Sequence, residues 1–217
     1  MRIGVLGTGV VGRGIGAKLV ELGHEVRLGS RDAAHEGARE WAAAAGDGAS
    51  NGTFADAAAF GEVVFNCTGG AVSLQALEQV PEDALAGKVV VDVSNPLDFS
   101  RGMPPSLTVP STDSVAEQIQ RRFPQARVAK ALNTVNVGVM VDPKSIPGAH
   151  EMFLCGNDES AKDEVRSILG SFGWSRDRII DLGDLTAARG MEAYVLFWVQ
   201  LMRALGGPQF NIHVVRP

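Results

Sequence analysis

The sequence predicts an α/β protein: a Rossmann-type doubly wound parallel sheet with a small C-terminal extension of helix and strand. Three observations carry that reading. Apolar strand-like runs alternate with helical runs along most of the 217 residues, which is the order of β–α–β units. A glycine turn, Gly7-Thr8-Gly9-Val10-Val11-Gly12, joins the first strand to the first helix. The ends of successive strands collect small, polar, glycine and proline residues along one edge of the predicted sheet.

The first unit opens with an apolar run from Ile3 and continues into an amphipathic helix through Leu19, Val20 and Leu22, which Gly23 stops. In that context G-x-G-x-x-G is a dinucleotide fingerprint of the Rossmann type. Gly7 permits a tight turn. Gly9 lets backbone approach a pyrophosphate, and Gly12 lets the helix pack on the strand. The helix N-terminus then offers amides and a partial positive charge to the phosphates.

The second strand, from Glu25 to Leu28, ends in Gly29-Ser30-Arg31. An NAD site usually places Asp or Glu there for the ribose 2′-hydroxyl. Ser30 offers a hydroxyl donor, and Arg31 offers a planar fork suited to a phosphate. Such charge-assisted bonds contribute about 1.5–3 kcal/mol each, roughly tenfold to hundredfold in affinity. The pattern therefore predicts NADP(H). Asp32 is the competing feature: it is the acidic residue of an NAD site, or it begins a turn, or it caps a helix from Ala33. His35 follows one helical turn after Arg31, either facing the phosphate or standing as a solvated surface residue.

Residues 42–52 read as a helix terminus and loop, and 53–60 as a short helix. Residues 62–67 form a buried strand followed by Thr68, Gly69 and Gly70; 73–80 are helical; the strand at 88–93 ends in Ser94, Asn95 and Pro96. A helix at 113–123 leads to a strand at 127–132, followed by Asn133, Thr134 and Asn136. A strand at 151–155, a helix at 159–172 and a short strand at 178–181 come next. Residues 185–205 read as one long apolar helix, and 210–215 alternate as a strand. The reading assigns 1–150 to the dinucleotide-binding domain. It assigns 151–217 to an extension that completes the sheet, the acceptor pocket and a dimer contact. Ligands of such sheets lie beyond the carboxyl ends of the strands, so the polar strand ends are cofactor candidates.

The net charge of −5 argues against a nucleic-acid surface. The N-terminal apolar residues are broken by turn glycines, unlike a secretory signal, and no apolar run is long enough for a bilayer. The expectation is a soluble, cytoplasmic protein with a small-molecule substrate. Cys67 and Cys155 form no C-x-x-C pair and read as buried thiols. No His, Cys and carboxylate set has metal-ligand spacing, so no metal is expected. His24, His150 and His213 read as structural or loop residues.

A nicotinamide cofactor implies hydride transfer. The single tyrosine, Tyr194, lacks the lysine of a Tyr-x-x-x-Lys pair. Lys130 is read as structural, paired with a carboxylate. A site without an evident acid or base suits an acceptor that takes hydride directly, a deazaflavin or a flavin. Two other readings stay open: reduction of a small imine or carbonyl substrate, and a non-catalytic NADP(H) sensor.

Segments 1–31 (with Leu-Gly-His-Glu-Val and Gly-Ser-Arg), 89–102, 129–134, 155–158 and 181–189 resemble the F420-dependent NADP oxidoreductase family. The same segments are similar to the cytosolic reductase domain of six-transmembrane metalloreductases, which pass electrons from NADPH through flavin to metal. The resemblance implies that Thr8, Gly9, Val10, Val11, Gly12, Ser30 and Arg31 hold NADP(H). It also implies a nicotinamide pocket near Gly70, Asn95, Pro96, Asn133 and Thr134, F420 or FMN/FAD as acceptor, and a homodimer built through the C-terminal helix. Asn133 stands where F420 reductases resemble one another in placing His, and Lys-Ala-Leu-Asn-Thr is closer to the metalloreductase pattern.

Overall fold

The structure, a computed structural model, describes residues 1–216. Ten strands and eight α-helices follow one another among these residues: β1 (Arg2–Leu6), α1 (Val10–Glu21), β2 (Glu25–Ser30), α2 (Glu36–Ala45), β3 (Ala49–Thr53), α3 (Phe54–Phe60), β4 (Val63–Asn66), α4 (Ser73–Leu77), β5 (Val89–Asp92), β6 (Leu97–Asp98), β7 (Ser106–Leu107), α5 (Val115–Arg122), β8 (Arg127–Ala131), α6 (Val137–Val141), β9 (Met152–Gly156), α7 (Glu159–Ser171), β10 (Ile179–Asp181) and α8 (Ala188–Leu205). Eight strands form one sheet in the order β10-β9-β8-β5-β4-β1-β2-β3, and β6 pairs with β7 as a separate ribbon.

The central strands are buried on both faces, so their apolar runs are nearly continuous. Alternate residues feed two cores. Ile3, Val5, Phe65, Val91 and Ala129 pack with α1, α2 and α7 on one face. Leu6, Val64, Val90 and Val128 pack with α3, α5 and the start of α8 on the other. The chain leaves β1 towards β2 on one side and returns to β4 on the other, so the crevice beyond β1 and β4 is the switch point where such sheets bind ligands.

Four expectations are corrected. The sheet is mostly but not wholly parallel, because β9 runs antiparallel to β8, with Lys130 opposite Cys155. That reversal brings the start of β9 to the carboxyl end of β8. Residues 49–52, expected as loop, and Thr53, expected as the start of a helix, form the edge strand β3, parallel to β2. Its Ser50-Asn51-Gly52 core has little strand propensity, and its pairing with β2 overrides it. The helix expected from Ala33 begins at Glu36; of the readings of Asp32, the turn is the one seen, with Asp32 accepting from the Ala34 amide at 2.9 Å. Residues 210–215 form no strand. Their polar groups bond to the segment before β9: Asn211 Nδ2 donates to the Glu151 carbonyl at 2.8 Å, and the Val214 amide donates to Glu151 Oε2 at 2.8 Å. No helix among the described residues is long and apolar enough to cross a membrane.

Candidate active site

The glycine turn is shaped by steric need. Gly7 has φ of +116°, a backbone region that disfavours side chains. A Cβ on Gly12 would lie 2.0 Å from the Gly7 carbonyl oxygen, whereas one on Gly9 would meet nothing within 4 Å. The turn is thus closed beneath and open above at Gly9. Helix α1 has no side-chain cap and no acidic residue in its first turn. By contrast, α2, α3, α5, α6 and α7 each carry a side-chain cap, from His35, Thr53, Ser114, Asn136 and Asp158. The free amides and positive dipole end of α1 face the crevice, an arrangement that receives anions.

Two adjoining hollows make one groove across the strand ends, with Gly9, Cys67, Thr68 and Gly69 in the wall of both. The first, of about 440 Å³, is walled by Gly7, Thr8, Arg31, Phe54, Gln75 and Gln79. Arg31 is exposed and free to meet a ligand. Ser30 is buried, and its hydroxyl donates to the Asp32 carbonyl at 2.6 Å, so it shapes the turn that presents Arg31. His35 caps α2, its Nδ1 accepting from the Ala38 amide at 3.2 Å. Arg13 joins this region unforeseen: its Nε donates to the Thr8 carbonyl at 2.7 Å. Both Arg13 and His35 lie within 3.4 Å of the point where a Cβ on Gly37 would stand.

The second hollow, of about 400 Å³, is walled by Val10, Val11, Ser94, Asn95, Leu97, Asn133, Met140, Val195 and Trp198. Asn95 and Asn133 clamp one another: Asn133 Nδ2 donates to Asn95 Oδ1 at 2.9 Å, and Asn95 Nδ2 donates to the Asn133 carbonyl at 2.8 Å. Asn133 also donates to the Met191 carbonyl at 2.9 Å, which seats α8 over the strand ends. Gly70 and Pro96 do not reach the cavity wall; a Cβ on Gly70 would lie 2.3 Å from the Asn95 carbonyl carbon, so Gly70 lets that turn close. Thr134 is buried beside Asn133.

Among the described residues, the buried side-chain polar atoms without a partner are Ser94 Oγ, Asn133 Oδ1, Thr134 Oγ1, Tyr194 Oη and Trp198 Nε1. All come from the ends of β5 and β8 or from α8 above them, and Ser94, Asn133 and Trp198 belong to the cavity wall. A buried polar atom without a partner costs roughly 1–3 kcal/mol, so the three in the cavity wall leave hydrogen-bonding capacity open at this end of the groove. Trp198 Nε1 is a donor only, while Asn133 Oδ1 is an acceptor only.

Behind the cavity lies a fully buried ionic cluster. The Lys130 ammonium meets Asp92 Oδ2 at 2.5 Å and Glu192 Oε1 at 2.9 Å, and donates to the Ser94 carbonyl at 2.8 Å. This is the structural role expected of Lys130, though neither Asp92 nor Glu192 was legible as its partner. Burial pushes the Glu192 carboxyl above the ordinary carboxylate range. Cys67, expected to be buried like Cys155, is only half-buried at the seam of the two hollows; its thiol is pushed up by desolvation first and by Asp92 second.

The glycine turn, the uncapped helix and the groove at the switch point define a dinucleotide-binding α/β protein. The chain belongs to the family described as NADP oxidoreductase, coenzyme F420-dependent, whose family model matches residues 2–96. A crystal structure from Arthrobacter sp. FB24, a candidate F420-dependent NADP-reductase, shares 46% identity over 100% of both chains with a TM-score of 0.93. The F420-dependent NADP reductase of Methanocaldococcus jannaschii is 34% identical over 139 residues, 64% of this chain and 60% of that protein. Metalloreductase STEAP3 of Rattus norvegicus is 30% identical over 199 residues, 90% of this chain. The chain spans 60% and 36% of the length of these two relatives.

Proposed function

We propose that the chain is an NADP-dependent oxidoreductase that moves hydride between NADPH and a deazaflavin (F420) or flavin-type acceptor. In this reading Gly7 to Gly12 and Thr68-Gly69 hold the pyrophosphate. Arg31 meets the 2′-phosphate, with Ser30 and His35 shaping and flanking its turn, and Ser94, Asn95 and Asn133 frame the nicotinamide, backed by Pro96 and Thr134 behind the cavity wall. The cofactor supplies the hydride chemistry. The protein's own work is alignment and the exclusion of water. Asn95 and Asn133 fix each other, and α8 closes the cavity with Val195 and Trp198.

The observation that carries the proposal is the set of three unpartnered buried polar atoms, on Ser94, Asn133 and Trp198, in the wall at the far end of a groove that starts at Arg31. Family membership supports the chemistry. The same reading includes a homodimer through α8, whose Phe197 and Leu205 are 58% and 63% exposed. The test is anaerobic mixing of the protein with NADPH and F420, FMN or FAD while the nicotinamide and acceptor absorbance bands are followed. Stoichiometric loss of both bands is expected with at least one acceptor. Tight NADPH binding with no turnover on any of them would point to a sensor. Turnover only on a small imine or carbonyl compound would replace the acceptor assignment.

A further inference from the structure

We infer that the Asp92–Lys130–Glu192 cluster gives the nicotinamide seat a surplus negative charge, so that the site favours the oxidised coenzyme over the reduced one. The inference rests on the assignment of NADP(H) to the groove and adds a redox preference to it.

The cluster touches the cavity wall from behind at Ser94. Lys130 has no exposed surface, and its ammonium holds the Ser94 carbonyl at 2.8 Å. Asp92 holds the same residue from the other side, accepting from the Ser94 amide at 3.2 Å through Oδ1, which also accepts from Asn66 Nδ2 at 2.8 Å. One ammonium therefore serves two carboxylates. The ammonium and the backbone amides around Glu192 favour its charged form against the burial that raises its pKa. Asp92 Oδ1 faces the Asn66 and Ser94 donors, and Oδ2 faces Lys130. Glu192 Oε1 faces Lys130 and the Ala116 amide at 3.4 Å, and Oε2 accepts from the Val115 amide at 3.0 Å. Every oxygen meets an N–H donor, a set of bonds that favours the carboxylate form. The neighbouring Arg189 is matched by Glu117 at 2.6 Å and brings no compensating charge. The cluster thus carries one negative charge in excess, eased by the amides at the start of α5.

Hydride transfer changes the charge beside this cluster. As hydride passes from NADPH to the acceptor, the C–H bond of the dihydropyridine ring breaks. The hydrogen and both electrons go to the acceptor, and the ring is left as a pyridinium with one positive charge. A buried negative charge attracts the pyridinium and is nearly indifferent to the neutral dihydropyridine. Acting through one layer of backbone at an effective dielectric of about 20, it is worth on the order of tenfold in relative binding. A cluster that merely seated α8 would act on both redox forms alike.

The experiment compares calorimetric dissociation constants of NADP+ and NADPH for the wild type, Glu192→Gln and Asp92→Asn. Wild type should bind NADP+ at least as tightly as NADPH. Each variant should keep its NADPH affinity within about threefold and lose NADP+ affinity by on the order of tenfold. The potential of the bound two-electron couple should then rise by about 30 mV. Equal loss of both forms in whichever variant folds overturns the inference. So does a wild type that binds NADPH tenfold more tightly than NADP+, a result that decides the matter even if both variants unfold. A wild type that binds neither coenzyme sinks the NADP(H) assignment itself, whereas both forms bound with an unshifted ratio sink the charge argument alone.

Discussion

At the scale of single residues, the account turns on Arg31. It is exposed at the wall of the first hollow, while its neighbour Ser30 is buried and committed to the Asp32 carbonyl. Arg31→Ala should therefore weaken NADPH by roughly tenfold to hundredfold and leave NADH nearly unchanged, as read by calorimetry; equal losses would remove the phosphate role. Cys67 gives a second residue-scale expectation. Burial and the nearby Asp92 hold its thiol protonated, and burial pushes Cys155 up to about 12. Since the thiolate is the reactive form, neither should be alkylated by iodoacetamide at pH 8 in the folded protein, and both should react in denaturant. Rapid labelling of the native chain would contradict the raised thiols. The sequence made Gly7, Gly9, Gly12 and Arg31 legible because a single local motif carries them. It could not supply Asp92 and Glu192 as the partners of Lys130, because long-range folding creates those contacts: Asp92 lies 38 positions before Lys130.

At the scale of elements, the turn that opens α1 and the seat of α8 bear most weight. Gly12→Ala would put a Cβ 2.0 Å from the Gly7 carbonyl oxygen. Helix α1 would have to lift off β1, and a loss of stability of about 2–4 kcal/mol is expected in urea unfolding, together with lost coenzyme binding. An unchanged midpoint would show that the helix tolerates the shift. The sequence failed on elements where pairing, not composition, decides. Strand β3 carries Ser50, Asn51 and Gly52 and reads as loop, yet the exposed edge of β2 recruits it. Residues 210–215 alternate like a strand, but their hydrogen bonds are taken by Glu151 and its neighbours, and Phe210 stacks on Trp198 with ring centroids 5.3 Å apart. Alternation predicts a strand only where a free edge is within reach.

For the whole molecule, charge sets the response to acid. Asp113 is held down to about 2 by its hydrogen bonds to Arg121, and Glu117 is lowered chiefly by Arg189. A carboxylate lowered on folding stabilises the native state above its ordinary pKa, and that contribution vanishes as pH falls through the folded value. Stability should thus decline between about pH 4 and about pH 2, as followed by the urea midpoint. Glu192, raised by burial, opposes this in part. A midpoint that rises on acidification would contradict the ion-pair assignments. The doubly wound architecture was legible because strand and helix periodicities alternate. The antiparallel β9 was not, since an apolar run such as Met152–Gly156 carries no mark of its direction.

The measurement that bears most directly on the central claim is calorimetric titration of the wild-type chain with NADPH and, separately, NADH. A groove that begins at Arg31 and ends beneath Trp198 predicts one site per chain, with NADPH bound at least about tenfold more tightly than NADH. Equal affinity for the two, or binding of neither, would contradict it.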